Sequence, residues 1–438
     1  MSKSSQPATQ SDEDYFDEDA AADQPSQGER ARPIPRISIQ AFCDDPNAAE
    51  VLQYAAEDRR LSKAHVSVHM GGIAAAIAHY VDSPTPNLII VDSALRGAAL
   101  LPELDKLAES CDPGTKVVVI GRHNDVLLYR ELLKRGVSEY LVSPIDPLGL
   151  MESISNLYNN PDTDPVGHVF AFIGAKGGVG SSTICHNVAW TLSEILKSNV
   201  TIADLDLAFG TTGLDFNQDP VQGIAEALAA PERLDDQLLD RLLTKCSEHL
   251  SIFAAPVVLD RDYEISPDSC DMVIDVVRQN VPYVAVDLPH GWAPWSKRVL
   301  LQADEVIITA APDLANLRNA KNIVDLLKLS RKNDARPHLI LNMTNVPKRQ
   351  EITMKEFEQA LDIKTMAVVE YDCETFSQAS NNGQMIEEMN PKAKAVEKFR
   401  DIALKMTHRK DVKTEKPKAG SSALSALAPI LAKMKLKR

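Results

Sequence analysis

The sequence predicts an α/β fold with two doubly wound parallel-sheet domains. Three observations predict it. Apolar, β-leaning runs alternate with helical patterns along most of the chain, a polar proline-bearing linker interrupts them at 159–167, and polar, charge-rich stretches lie at both ends. The chain, at 438 residues, is also too long for a single core. We therefore expect domains at 36–158 and 168–408, with a disordered acidic tail at 1–35 and a basic tail at 409–438.

Composition narrows the class of protein. The net charge of −15 argues against nucleic acid as a partner, because binding to a phosphate backbone depends on clustered Lys and Arg. The six cysteines are scattered without paired spacing, which predicts the reduced thiols of a cytoplasmic protein. No apolar run approaches the ~20 residues that a membrane-spanning helix needs. We expect any membrane contact to be peripheral.

The first domain shows an alternation of strands and helices typical of a parallel, flavodoxin-like sheet. Aspartates follow or end its apolar strands: Asp44 and Asp45 come after the first, and Asp92 ends a later one. These acids could be ordinary loop residues. The predicted strands are 37–42, 87–92, 116–121 and 138–142, and the predicted helices are 48–60, 126–134 and 148–157.

This half of the chain resembles a response-regulator receiver domain. Asp44 and Asp45 match the Mg²⁺-binding acids of that family, and Asp92 matches its phospho-acceptor. Gly121 stands at the usual Thr or Ser, and Ser143 stands at the usual Lys that would pair with the phosphorylated aspartate. The resemblance therefore implies a pseudo-receiver that is used for contacts rather than as a phospho-switch.

The second domain opens with an apolar strand, a glycine-dense loop at 174–183 and a helical pattern. Glycines let successive backbone N–H groups point at an anion, and the helix N-terminus adds its positive end. The Ser182 hydroxyl lies where a phosphate-binding loop places its Mg²⁺ ligand. Ser181 stands where the phosphate-binding lysine is expected, and a lysine occurs earlier, at Lys176. The loop predicts nucleotide binding with slow or absent hydrolysis.

Two later strands end in acids. One ends in Asp204 and Asp206, whose side chains can face one site because alternate residues on a strand point the same way. Another ends in Asp287, in the form of a Walker B strand whose acid holds the Mg²⁺ shell through water. Ligands of open α/β sheets bind at the carboxyl ends of the strands. The alternative for Asp287 is an acid that only caps the turn before Pro289, and the alternative for Asp204 and Asp206 is that a DLD sequence after an apolar strand occurs by chance.

The three motifs, in this order, resemble the deviant Walker A ATPases of the MinD/ParA family, over roughly 169–404. The resemblance implies a homodimer in which Lys176 reaches the partner's nucleotide and Asp206 positions the attacking water. It also implies that Asn342 contacts adenine, and that Mg²⁺ is held by Ser182, Asp204 and Asp287, partly through water. The ATP-cradling residues would be Gly177, Gly178, Val179, Gly180, Ser181, Ser182 and Thr183.

A receiver-like domain ahead of a MinD-like ATPase resembles the CpaE/TadZ proteins of tight-adherence (Flp, type IVc) pilus assembly. That resemblance implies an ATP-binding localisation and assembly platform, with at most weak conversion of ATP and water to ADP and phosphate. Its partners would be the secretion ATPase and the inner-membrane platform, at a cytoplasmic focus or pole. The alternatives are a ParA-like DNA-partitioning ATPase and a phospho-signalling protein with a vestigial nucleotide site.

The basic tail carries a short amphipathic pattern. Leu424, Leu427, Leu431 and Met434 recur at helical spacing ahead of a basic terminus. Such a segment can dock in a partner's groove or lie on an anionic membrane surface. Pro429 interrupts the pattern, so a disordered basic tail is an equal alternative.

Overall fold

The structure is a computed structural model that describes residues 34, 37–95, 99–112, 114–158, 167–256 and 264–408. The basic tail and nearly all of the acidic tail and linker, all three predicted from sequence, lie outside the described residues. Among the described residues, no helix is long and apolar enough to cross a membrane. The α/β prediction with parallel sheets is confirmed.

The N-terminal unit, the described residues from 37 to 158, is a five-stranded parallel sheet in the order β2-β1-β3-β4-β5, the flavodoxin-like order. Its strands are β1 (Ser38–Cys43), β2 (His65–Met70), β3 (Leu88–Asp92), β4 (Lys116–Gly121) and β5 (Glu139–Val142). Its helices are α1 (Pro46–Ala56), α2 (Gly72–His79), α3 (Leu101–Glu109), α4 (Val126–Lys134) and α5 (Pro147–Tyr158), with a 3₁₀ turn at Arg59–Leu61.

Helices cover both faces of this sheet. Leu88 and Ile90 of β3 pack with α1 and α5, whereas Ile89 and Val91 pack with α2, α3 and α4. Adjacent residues of a strand point to opposite faces, so a strand between two helical layers is apolar throughout. The edge strand β2 was not predicted, because its residues are half-buried or exposed and its sequence, HVSVHM, lacks an apolar run.

The C-terminal unit, the described residues from 167 to 408, is an eight-stranded sheet in the order β13-β12-β11-β6-β10-β7-β9-β8. Its pairs are parallel except β8 with β9, which is antiparallel and was not predicted. The strands are β6 (His168–Gly174), β7 (Val200–Asp204), β8 (Thr244–Lys245), β9 (Leu250–Phe253), β10 (Tyr283–Asp287), β11 (Glu305–Ala310), β12 (His338–Thr344) and β13 (Thr365–Glu370).

Eleven helices of the C-terminal unit are described. They are α6 (Ser181–Leu196), α7 (Thr212–Asp215), α8 (Ile224–Ala229), α9 (Asp236–Leu242), α10 (Pro267–Asn280), α11 (Pro294–Gln302), α12 (Leu314–Ser330), α13 (Met354–Leu361), α14 (Cys373–Asn382), α15 (Ile386–Met389) and α16 (Lys394–Met406), with a 3₁₀ turn at Pro231–Arg233. Two apolar cores result, because Val169, Ala171 and Ile173 of β6 enter one while Phe170 and Phe172 enter the other.

A buried polar interface joins the two units. Arg59 Nε lies 2.6 Å from Asp334 Oδ2, and Arg59 Nη1 lies 3.3 Å from Asp304 Oδ1. Arg60 Nη2 lies 2.6 Å from Asp334 Oδ1. Asp304 also accepts from the backbone N–H of Val169, at the beginning of β6. The interface therefore lies at the amino edge of the eight-stranded sheet, opposite the carboxyl edge where the candidate site is built.

Candidate nucleotide-binding site

The glycine loop turns tightly from β6 into α6. Gly178 and Gly180 have φ angles of 77° and 81°, in the left-handed region that favours glycine. A Cβ at Gly180 would lie 2.7 Å from the Asn342 amide nitrogen, so the backbone approaches that side chain too closely for any larger residue. The loop therefore presents backbone at the N-terminus of a 16-residue helix, the setting in which helices bind phosphate.

Side chains from three other parts of the unit, namely β12, α12 and the turn after β10, fix the loop. The Asn342 amide donates to the carbonyl of Val179 at 2.8 Å, and the Asn319 amide donates to the carbonyl of Ala175 at 2.9 Å. The Nδ1 atom of His290 lies 3.2 Å from the carbonyl oxygen of Gly174. A loop held this way keeps its shape before a ligand arrives, which reduces the entropic cost of binding.

Two buried polar atoms in the site have no hydrogen-bond partner among the described residues: the Ser181 hydroxyl and Asp287 Oδ1. Buried polar atoms are nearly always paired, so such orphans point to a ligand, ion or water. One belongs to the phosphate loop and the other to the acid at the end of β10. Their positions fit a phosphate and a divalent cation.

The two strand-end acids are neighbours. The register of β10 with β7 pairs Asp287 directly with Asp204, and both side chains are buried. Burial, together with the charge of Asp287, raises the pKa of Asp204. Neighbouring carboxylates that are both buried repel each other, so the site favours a cation between or beside them.

Asp204 also organises the segment that follows β7. Its Oδ1 accepts from the backbone N–H of Asp206 at 3.0 Å, and its Oδ2 accepts from the Thr212 hydroxyl at 2.6 Å. Asp206 in turn accepts from the backbone N–H of Phe209 at 3.1 Å. Burial raises the pKa of Asp206. β7 ends at Asp204, so Asp206, predicted to end the same strand, lies instead in the turn that follows it.

Lys176 is exposed at the outer part of the loop. Burial raises the pKa of Asp313, but hydrogen bonds from Asn316 and the charge of Lys176 outweigh it and lower that pKa. The lysine ammonium therefore lies within electrostatic reach of Asp313, at the start of α12. Asn342 lines a cavity beside the loop together with Gly180, Tyr371 and Phe376, next to the α6 residue Thr183.

One residue of the site was missed by the sequence analysis. His186 of α6 is fully buried, with Nδ1 2.8 Å from Asp215 Oδ2 and Nε2 3.5 Å from Asp287 Oδ2. Burial lowers its pKa, but the bonds to Asp215 and Asp287 outweigh burial and raise the pKa to about 10. The sequence feature that could have identified it is its position between the apolar Ile184 and Val188, which predicts a buried histidine. A buried imidazole needs polar partners, so such a histidine indicates a polar site nearby.

The acids of the N-terminal unit are arranged differently. Asp92 is fully buried, and its Oδ2 accepts from the backbone N–H groups of Asp44 at 3.0 Å and Asp45 at 2.7 Å. Burial raises the pKa of Asp92. A Cβ at Gly121 would lie 2.2 Å from the Tyr140 hydroxyl, so an inward tyrosine fills the space where a receiver domain keeps Thr or Ser. Asp92 therefore acts as an acceptor that ties two loops together.

No protein-family model matches the chain. The septum site-determining protein MinD of Bacillus subtilis is 26% identical over 252 residues, which are 54% of this chain and 88% of that protein. The crystal structure of a ParA family ATPase from Chlorobium tepidum is 28% identical, with a TM-score of 0.51, and the match covers 55% of this chain and 98% of that one. A pilus assembly protein CpaE from Caulobacter crescentus is 49% identical, with a TM-score of 0.29, over 30% of this chain and 98% of that one.

The fold and the site define a phosphate-loop α/β protein whose candidate ligand site lies at the carboxyl edge of a mainly parallel sheet. The C-terminal part of the chain is homologous to the ATPases of the MinD/ParA family.

Proposed function

We propose that this protein is an ATP-binding, nucleotide-dependent homodimer that serves as a localisation and assembly platform for a tight-adherence pilus or a related secretion machinery. The observation that carries the ATP-binding part is the fixed glycine loop with two orphaned polar atoms, next to the paired acids Asp204 and Asp287. The pilus role rests on the order of the two units, because a receiver-like sheet ahead of a MinD-like ATPase is the arrangement of the CpaE/TadZ proteins.

The residues at the site fit Mg-ATP. The loop residues 177–183 would hold the phosphates, while Ser182, Asp204 and Asp287 would hold Mg²⁺, partly through water. The cavity lined by Asn342, Tyr371 and Phe376 would take the base. When bound, Mg²⁺ neutralises charge on the phosphates.

Hydrolysis is slow or absent in this proposal. Ser181 supplies a hydroxyl where P-loop enzymes place a lysine, and fixed positive charge at the phosphates is the main source of phosphoryl-transfer catalysis. Asp206 would position the attacking water. Lys176, exposed on the loop, would act on the nucleotide of the facing protomer, so that ATP becomes the trigger for dimerisation.

The N-terminal unit acts as a contact module in this proposal, with domain boundaries at 36–158 and 168–408. The hydrogen bonds to Asp92 and the position of Tyr140 support a non-switching role. Its partners would be a secretion ATPase and an inner-membrane platform, at a cytoplasmic focus or pole. The tail 409–438 would provide any peripheral membrane contact.

The homology is equally compatible with a ParA-like partitioning ATPase. The ParA family structure from Chlorobium tepidum favours that candidate at the level of fold. The net charge of −15 opposes it, because non-specific DNA binding depends on a basic surface. Salt-dependent retention of DNA by the full chain in the presence of Mg-ATP would support partitioning.

The proposal is tested by calorimetry of the full chain with Mg-ATP, with sedimentation in the same buffer. We expect saturable binding below millimolar nucleotide and a monomer-to-dimer shift. No saturation at millimolar nucleotide would refute the ATP-binding part. Binding without any change in sedimentation would refute nucleotide-dependent dimerisation. For the pilus role, we expect deletion of the gene to abolish the pilus and a fluorescent fusion to form a focus or polar spot.

A further inference from the structure

His186 lies outside all three nucleotide-binding motifs, yet it contacts residues of the site. Its Nε2 atom lies 3.0 Å from the Thr212 hydroxyl oxygen, and its Nδ1 atom lies 2.8 Å from Asp215 Oδ2. The side chain is completely buried in α6, four residues after Ser182.

The partners of His186 require both of its ring nitrogens to donate hydrogen bonds. The Thr212 hydroxyl has one proton, and the 2.6 Å bond to Asp204 uses it. Thr212 must therefore accept from Nε2, which carries a proton. A carboxylate has only acceptor atoms, so Nδ1 donates to Asp215 Oδ2 at 2.8 Å. An imidazole that donates from both nitrogens is an imidazolium.

This buried cation lies among three parts of the site. It contacts Asp287 at the end of β10, reaches Asp204 of β7 through Thr212, and contacts Asp215 of α7. Asp287 turns Oδ2 toward the imidazolium at 3.5 Å, while Oδ1 stays without a partner among the described residues. One oxygen of the acid is thus occupied by the protein, and the other remains for a ligand.

We propose that His186 is a positioning residue for the divalent cation, orienting the acid Asp287 directly and the acid Asp204 through Thr212. Side chains that hold the metal-binding acids in place are needed for tight metal binding, because an acid free to turn away from the site is a poor ligand for Mg²⁺. The P-loop lysine of related enzymes contacts the phosphates, whereas His186 positions the acids that bind the cation. The inference rests on the proposed function, because it assumes that this site binds Mg²⁺ with nucleotide.

The test separates the contribution of Mg²⁺ to ATP affinity from the affinity for ATP alone. ATP affinity of the full chain is measured by calorimetry in Mg²⁺ and again in EDTA, and the ratio of the two gives the gain due to metal. We expect H186Q, which keeps a polar side chain but loses the imidazole's fixed contacts at its two ring nitrogens, to reduce that gain by roughly tenfold or more. Its affinity in EDTA should stay at the wild-type value, which a loss of folding would not allow.

Two further variants make the result decisive. D215N removes the carboxylate from Nδ1 while the histidine stays packed, and it should reduce the metal-dependent gain in the same direction by a smaller factor. If H186Q fails to fold, the metal-dependent gain of D215N alone tests the role of His186. T191V is the matched control, since Thr191 is equally buried in α6 but bonds Glu387, away from the acids. T191V should keep the wild-type gain.

The failures are distinguishable. A wild-type gain in folded H186Q, or in D215N where H186Q does not fold, would overturn the role of His186 and leave the proposed function intact. An equal loss of affinity in Mg²⁺ and in EDTA would also overturn it, because that pattern indicates a general structural role. A wild-type chain that binds no ATP in either condition would overturn the proposed function and this inference with it.

Discussion

Substituting Asp334 with Asn should destabilise the whole chain through the interface between its two units. Asp334 is contacted at 2.6 Å by each of three guanidinium groups, those of Arg59, Arg60 and Arg331. Its side chain is 4% exposed, and that of Arg60 is 2% exposed. Breaking a buried ion pair costs about 3–5 kcal/mol, because the remaining charges are left uncompensated.

The lower end of that range applies here. Arg331 also donates to the backbone carbonyls of Leu300 and Asp304, and Arg59 keeps its contact with the Asp304 carboxylate. Both arginines thus retain acceptors after the substitution. We expect D334N to lower the free energy of unfolding by about 3 kcal/mol at neutral pH.

The pH dependence follows from the direction of the pKa shift. Burial raises the pKa of Asp334, but the charges of Arg59, Arg331 and Arg60 outweigh burial and lower it below the ordinary value of 3.8. A carboxyl with a lowered folded-state pKa contributes its full stability above the unfolded value and loses it as the pH falls through the folded value. The difference between wild type and D334N should therefore be constant near neutral pH and shrink only below pH 3.8.

Urea unfolding of the full chain, followed by circular dichroism, measures this effect. D362N is the matched control, because Asp362 also pairs with two cations, Lys328 and Arg336, but its side chain is 72% exposed. Exposed ion pairs contribute little, so D362N should unfold at the wild-type urea concentration. ATP affinity should be unchanged in both variants, since Asp334 lies near the opposite edge of the sheet. Equal unfolding of D334N and wild type would refute the reasoning.

Three further outcomes are expected. S181K should raise ATP affinity or the hydrolysis rate, each measured on purified protein, because it restores a fixed cation at the phosphates; no change in either would contradict the assignment of the loop. K176A should bind Mg-ATP yet remain monomeric in sedimentation. The control is K197A, because Lys197 is an exposed lysine at the C-terminal end of α6, and a dimer of K176A would exclude the cross-subunit role. D92N should fold, dimerise and localise as wild type does, because the Asn oxygen can accept the backbone N–H groups of Asp44 and Asp45; a folded but non-localising variant would support a phospho-switch.

The sequence by itself determined the fold class and the motifs at the carboxyl edge. The strand before the glycine loop, the loop and the helix after it are local patterns, set by apolar runs and by glycine backbone freedom. Asp204 and Asp287 could be placed from sequence because each ends an apolar strand, and parallel strands of one sheet bring such ends together.

Only the tertiary structure decided the features that depend on distant partners. The sequence around His186 does not distinguish it from any other histidine on the apolar face of a helix. Its role follows from its contacts with Asp215 and Asp287, which lie on other elements. Arg59 and Arg60 were predicted at the end of a helix over 48–60, but they lie in a 3₁₀ turn after that helix and contact Asp334, which follows Arg59 by 275 residues. A buried charge is costly unless an opposite charge or hydrogen-bond partner lies beside it. Partners this far apart in the sequence become neighbours only when the chain folds, so the sequence alone does not identify them.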